Sequence, residues 1–276
     1  MTINCKGALI DLSTPKVMGI LNLTPDSFYD GGKYKNENDI LKKVEQMLKE
    51  GASFIDLGAY SSRPGADHIS IEEEKKRLLP IITLLLDNFP NILLSIDTFR
   101  SEIAELSIQA GGALINDISA GNLDKKMIPI VGELKVPYIM MHMKGTPINM
   151  KSLDHYEDLI HEMNIYFAEK IAEAKKHGVN DIIIDPGFGF AKNLDHNFEL
   201  LKKMKFLEIH DLPILAGLSR KSMIYKTLKN TPAEALNGTT TLNTIVLLNG
   251  ASILRVHDVK EAMECITLIN RYNEVI

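Results

Sequence analysis

Residues 92–118 read ILLSIDTFRSEIAELSIQAGGALINDI, and the order of patterns inside them decides the fold. An apolar run, ILLSID (92–97), passes into a segment of helical pattern over 100–110, and a second apolar run, ALINDI (113–118), follows. Continuous rather than alternating apolar runs mark strands buried on both faces. A helix between two such runs marks a parallel crossover.

The unit repeats outward in both directions. The other runs are VMGILN (17–22), FIDLG (54–58), VPYIMMH (136–142), DIIIDPG (181–187), PILAGLS (213–219) and SILRVHD (252–258). Helical segments are predicted at 37–50, 71–87, 124–134, 154–177, 195–209, 233–249 and 258–272. Eight β-then-α units in 276 residues predict an α/β fold, a (β/α)8 TIM barrel, with 1–276 as a single domain. A doubly wound open sheet is the competing architecture. It would usually place glycines for a dinucleotide in the first βα turn, and no G-x-G-x-x-G follows the first strand. The stretch before Val17 is too short for another unit and is predicted to form a hairpin closing the barrel bottom.

The chain is 45% hydrophobic with a formal charge of −5. This argues against general binding to nucleic acid or to an acidic membrane surface, and leaves room for a local basic pocket. Cys5 and Cys265 are the two cysteines, so no disulfide framework is implied and a reducing compartment is expected. The N-terminus lacks a signal-peptide pattern, and no later run is long and apolar enough to span a bilayer. The expectation is a cytoplasmic protein.

Polar residues gather at one end of these strands: Asn22, then Ser61-Ser62-Arg63, Asp97, Asn116-Asp117, His142, Asp185, Ser219-Arg220-Lys221-Ser222, and Arg255-Val256-His257-Asp258. Several lie inside an apolar run and in one period-2 phase, as Ser95 with Asp97, Leu114 with Asn116, and Arg255 with His257. In a barrel that phase points to the C-terminal mouth, where this fold keeps its active sites. Each residue alone also has a bland reading. Asp97 and Asp258 suit N-caps of the following helices, and a lone histidine is usually structural.

The cations Arg63, Arg220, Lys221, Arg255 and His257 cluster largely after the last two strands, where barrels often hold phosphate. Arginine offers a fixed fork to phosphate oxygens and lysine a point charge. Asp97, Asn116 and Asp185 suit the amino-substituted edge of a flat heterocycle. A metal cage is the other use for acids in a mouth, but no strong metal-ligand spacing is present.

These segments together resemble the bacterial dihydropteroate synthase family: GILNLTPDSFYDGG (19–32), IDLGAYSSRPGA (55–66), SIDTFR (95–100), INDISA (115–120), MMHMKGTP (140–147), IIDPGFGFAKN (184–193), LAGLSRKSMI (215–224) and LRVHDV (254–259). The resemblance implies a transferase of folate synthesis that joins dihydropterin-CH₂-diphosphate to 4-aminobenzoate. It implies a pterin held by Asp97, Asn116, Asp185 and Lys221 over Met140, and a diphosphate met by Asn22, Ser62, Arg63, Arg255 and His257. Mg²⁺ is implied between diphosphate and Asn22. The aminobenzoate carboxylate is implied at Ser222, its ring near Pro64, Phe190 and Lys221. A homodimer is implied as well, with helices 233–249 and 258–272 as its expected contact.

Three positions depart from the family pattern. Tyr60 stands where an acidic residue is usual, Ser62 where threonine is usual, keeping a hydroxyl, and Ala191 where a third glycine is common. The catalytic set is expected to be Lys221, Arg255, His257, Asp97, Asp185 and Arg63, acting by electrostatics without a covalent intermediate. The stretch NLTPDSFYDGG (22–32) is longer than the usual βα loop of about 2–6 residues and is expected to act as a lid. Three other readings stay open: a methyltetrahydrofolate-dependent methyltransferase barrel, a non-catalytic pterin-binding paralogue, and a Schiff-base role for Lys221.

Overall fold

The computed structural model describes residues 1–23, 37–61 and 68–275, and the backbone of 29–30 and 33–34. The strands are β1 (Thr2–Cys5), β2 (Ala8–Asp11), β3 (Lys16–Asn22), β4 (Tyr29–Asp30), β5 (Lys33–Tyr34), β6 (Phe54–Gly58), β7 (Leu94–Asp97), β8 (Leu114–Asp117), β9 (Tyr138–Met141), β10 (Ile182–Asp185), β11 (Ile214–Ala216) and β12 (Ala251–Val256). The helices are α1 (Glu37–Lys49), α2 (Ile71–Asn88), α3 (Ser101–Gln109), α4 (Met127–Leu134), α5 (Leu159–Lys176), α6 (Leu194–Lys203), α7 (Ser222–Leu228), α8 (Leu236–Leu248) and α9 (Val259–Glu274).

Eight strands close into a parallel barrel in the order β10-β11-β12-β3-β6-β7-β8-β9. Each was an apolar run in the sequence, so the TIM barrel is the observed fold. Strand faces divide the core. Val17, Ile55, Ile96, Ile115, Met140, Ile184 and Leu254 pack outward against the helices. Met18, Phe54, Leu114, Ile139, Ile183, Leu215 and Ile253 fill the lower barrel interior. The antiparallel hairpin β1–β2 covers that layer with Ile3, Cys5 and Leu12. The Asn4 amide anchors it by donating to Asp181 at 3.2 Å. Burial in this plug pushes the Cys5 thiol up to about 12, so it stays protonated.

Caps set several helix starts. Ser70 accepts from the Glu73 amide at 3.1 Å, Asp158 from His161 at 3.0 Å and Asn193 from His196 at 2.9 Å. Asp158 therefore starts α5 later than the pattern at 154–177 suggested. Helix α4 begins after 124 because the Asp124 carboxylate is used in the turn, accepting from the amides of Ser101 and Lys126. The predicted helix 195–209 is α-helical to Lys203 and then tightens into a 3₁₀ segment, Met204–His210. Among the described residues no helix is long and apolar enough to cross a membrane.

Candidate active site

The centre of the mouth is a carboxylate that lies two residues inside the end of its strand. Asp56 lies inside the run FIDLG, is fully buried, and shares the inward phase of Gly58. The guanidinium of Arg255 lies 2.6 Å from Asp56 and 2.7 Å from Asp97. The amide of Asn116 donates to Asp56 at 3.2 Å. Four strands, β6, β7, β8 and β12, thus meet in one polar network. The signal for Asp56 was available: an acid in the middle of an apolar run needs a buried partner.

Asp185 ends β10 and accepts from the Gly187 amide at 2.7 Å. Lys221 precedes α7, and its ammonium donates to the Phe188 carbonyl and lies 4.9 Å from the centre of the Phe190 ring. Asp185, Lys221 and Arg255 lie close enough to feel one another's charge, and Arg255 is paired with Asp97, so the four gather at one end of the barrel. Burial raises the Asp97 carboxyl against the opposing pull of Arg255, and Asp56 raises it further. Burial likewise raises Asp185, while Lys221 draws it back. Lys221 is held down to about 8 by burial, with Asp185 supporting its charge. For Arg255 burial opposes the charge, yet Asp56 and Asp97 together raise its pKa.

His257 is placed by Ser219, whose hydroxyl lies 2.9 Å from Nδ1 and accepts from the His257 amide. Ser222 opens α7. Asn22 ends β3 opposite Gly58 and brings one half-buried amide towards the mouth. Among the described residues no group of three His, Cys, Asp or Glu could hold a metal ion. Ser62, Arg63, Pro64 and the stretch 24–28 with 31–32 lie outside the described residues.

Three expectations are corrected. Met140 is not beneath the mouth: it belongs to the layer between barrel and helices. Its neighbour Met141, paired with Asp185, takes the inward side with Met143, Ala191 and Phe190. Adjacent strand residues face opposite ways, so a one-residue shift exchanges sheet faces. Arg220 is not a mouth cation. It grips Asp258 through two bonds of 2.8 and 2.9 Å and also donates to the carbonyls of Pro232 and Ala233. Asp258 in turn makes no side-chain cap for α9.

The loop after β10 explains its own residues. Gly187 adopts φ +69°, and a side chain there would come within 2.3 Å of the His142 carbonyl. Ala191 adopts φ +47°, a left-handed conformation that accounts for glycine being common at this position. Tyr60, a second departure, has its hydroxyl 3.1 Å from His68 Nδ1, and its ring packs edge-on against Phe99.

Residues 18–257 match the family described as pterin binding enzyme. The chain is 40% identical over 271 residues to dihydropteroate synthase of Escherichia coli (strain K12), covering 98% of this chain and 95% of that protein. The Yersinia pestis dihydropteroate synthase in a sulfonamide drug complex superposes with a TM-score of 0.93 at 39% identity, with 100% of each chain covered. The Xanthomonas albilineans dihydropteroate synthase with 4-aminobenzoic acid superposes at 0.91 with 34% identity, covering 100% of this chain and 99% of that one. A barrel whose mouth joins buried acids and an amide to lysine and arginine is that of a pterin-binding enzyme, and the chain belongs to that family. Within the family its place is with the dihydropteroate synthases, transferases of folate biosynthesis.

Proposed function

We propose that this mouth performs dihydropteroate synthesis by assisted departure of diphosphate followed by amine attack. The C–O bond between the pterin methylene and diphosphate breaks with its electron pair going to the diphosphate. The lone pair of the 4-aminobenzoate nitrogen forms the new C–N bond, and one ammonium proton passes to solvent. The observation that carries this reading is the convergence of Asp56, Asp97, Asn116 and Asp185 with Lys221 and Arg255 at one end of the barrel. The acids and amide suit the N–H-rich edge of a pterin and stabilise positive charge on the carbon that diphosphate leaves. Arg255, His257 and Arg63 serve the departing diphosphate. Preorganised charge of this kind is commonly the largest catalytic contribution.

Asn22 would hold a Mg²⁺ through one neutral oxygen, a donor set that suits an ion bound mainly when diphosphate supplies further oxygens. When bound, the ion would neutralise charge on the leaving group. Ser222 holds the aminobenzoate carboxylate, with Phe190, Pro64 and Lys221 beside the ring, and Lys221 also faces the pterin. An aryl amine is neutral at pH 7, so attack needs neither a strong base nor a protein nucleophile. The stretch 22–32, most of it outside the described residues, serves as a cover that excludes water from bound diphosphate. The protein works in the cytoplasm as a homodimer, with exposed Leu268 and Tyr272 on α9 and Leu248 at the end of α8 offering apolar contact area.

The test is to incubate the protein with pterin diphosphate and Mg²⁺ and to follow diphosphate release with and without 4-aminobenzoate. Release that requires the amine and yields dihydropteroate supports the reading. Release of a methyl group from a methylated pterin would favour the methyltransferase alternative, and tight pterin binding with no release would favour a non-catalytic paralogue.

A further inference from the structure

Lys192 is used by none of these steps, yet it is a lysine only 8% exposed beside the site. Its ammonium donates to His142 Nδ1 at 3.0 Å, to the Phe190 carbonyl at 3.1 Å and to the Gly187 carbonyl at 3.2 Å, with the His142 carbonyl at 3.5 Å. Burial holds His142 neutral, with Lys192 acting in the same direction, so a ring nitrogen is available to accept. A buried ammonium is costly unless its donors are satisfied, so the protein keeps this one for the acceptors around it. Those acceptors come from two elements: the end of β9 and the loop between β10 and α6.

We infer that Lys192 is a positioning residue for the pterin side of the site: it ties the Gly187–Phe190 loop to the end of β9 and thereby sets where Asp185 stands. The linkage is short. Lys192 holds the Gly187 carbonyl, and the Gly187 amide holds the Asp185 carboxylate. Lys192 holds the Phe190 carbonyl, and the Phe190 ring faces Lys221. From the other side Asn197 accepts from the Gly189 amide at 2.6 Å and donates to the Lys192 carbonyl at 3.1 Å. Gly187 permits the arrangement because its backbone packs directly on the His142 carbonyl. Asp185 also supports the Lys192 charge through space, while Lys221 and Lys144 oppose it. The ammonium therefore both braces the loop and moderates the field at Asp185.

This inference rests on the reading of Asp185 as a pterin contact, and the experiment separates the two. Lys192→Met keeps the chain length and removes every donor. It is compared with the parent and with Asp185→Asn for KM toward pterin diphosphate, KM toward 4-aminobenzoate, and calorimetric affinity for the pterin alone. Loss of one charge-assisted hydrogen bond corresponds to about a tenfold change. The expected result for Lys192→Met is a pterin KM and dissociation constant at least about tenfold higher, with KM for 4-aminobenzoate much less changed. Lys192→Gln keeps two N–H donors without the charge and is expected to recover part of the loss. It also supplies the same comparison should Lys192→Met not fold. Lower melting temperature with unchanged pterin affinity in the folded variants would overturn the inference and leave Lys192 a purely structural brace. An unchanged pterin affinity in Asp185→Asn would instead overturn the reading of the pterin pocket.

Discussion

Arg255 on β12 and Asp97 on β7 meet at 2.7 Å across the barrel mouth, although 158 positions separate them in the chain. Asp56 completes the contact from β6, which lies between β3 and β7 in the barrel. Arg255→Ala leaves two facing carboxylates without their counter-ion. Removing one partner of a buried ion pair costs about 3–5 kcal/mol, and the lower end applies here because Arg255 is partly reached by solvent. Denaturant unfolding should show that loss, and turnover should fall with it. Arg255→Lys keeps the charge but not the fork, and should recover stability more than activity.

Lys221 donates to the Phe188 carbonyl and is held down to about 8, a combination also found in lysines that form Schiff bases. The electrostatic mechanism needs no such bond. Borohydride added during turnover should leave the mass of the protein unchanged and its activity intact. A reduced adduct on Lys221 would replace the mechanism with a covalent one. Lys221→Gln should raise the pterin KM while leaving measurable turnover.

Arg220 and Asp258 join the loop after β11 to the end of β12 outside the mouth. Arg220→Ala removes hydrogen bonds to a charged partner, each worth about 1.5–3 kcal/mol. Melting temperature should fall clearly, while kcat/KM of the folded fraction changes less than for Arg255→Ala. The reverse order would return Arg220 to the catalytic cations.

Burial holds Lys192 down to about 7, whereas an unfolded lysine titrates near about 10.4. Between these values the unfolded chain binds more protons than the folded one, so the contribution of this group to stability rises with pH. The groups around it are Asp185, Lys221, Lys144 and His142. The unfolding free energy of the parent relative to Lys192→Met should therefore improve between pH 7 and pH 9.5, as flagged by about one depressed ionisation. A difference independent of pH would mean that the ammonium is not depressed.

Deleting residues 25–31 should cut turnover far more than folding stability, measured by diphosphate release and by thermal melting on the same preparations. Equal losses in both would make that stretch part of the folding unit and not a cover for the reaction.

Much of the site could be read before any coordinates. Asp97, Asn116, Asp185, Lys221, Arg255 and His257 stood out because polar groups inside apolar runs are costly unless they converge on a ligand or on one another. Arg255 and His257 share a strand phase, and so do Asp97 and Ser95, so the inward face was visible locally. Asp56 is less visible in the sequence because it sits two residues inside the strand end, within the apolar run itself. Met140 and Met141 are indistinguishable in the sequence, because two identical side chains in adjacent positions differ only in which face of the sheet they take.

The amino-acid sequence by itself determined the eight alternating units and hence the barrel, because continuous apolar strands must be covered by helices on the outside and by one another within. It also determined which end of the barrel is polar, since strand direction and side-chain period are local properties. Only the tertiary structure decided who meets whom: Arg255 with Asp56 and Asp97, Arg220 with Asp258, and Lys192 with His142 and the carbonyls of Gly187 and Phe190. Those pairings depend on barrel closure, which brings together strands far apart in the chain. The charge on each group is then set by burial and by neighbours that no local pattern specifies.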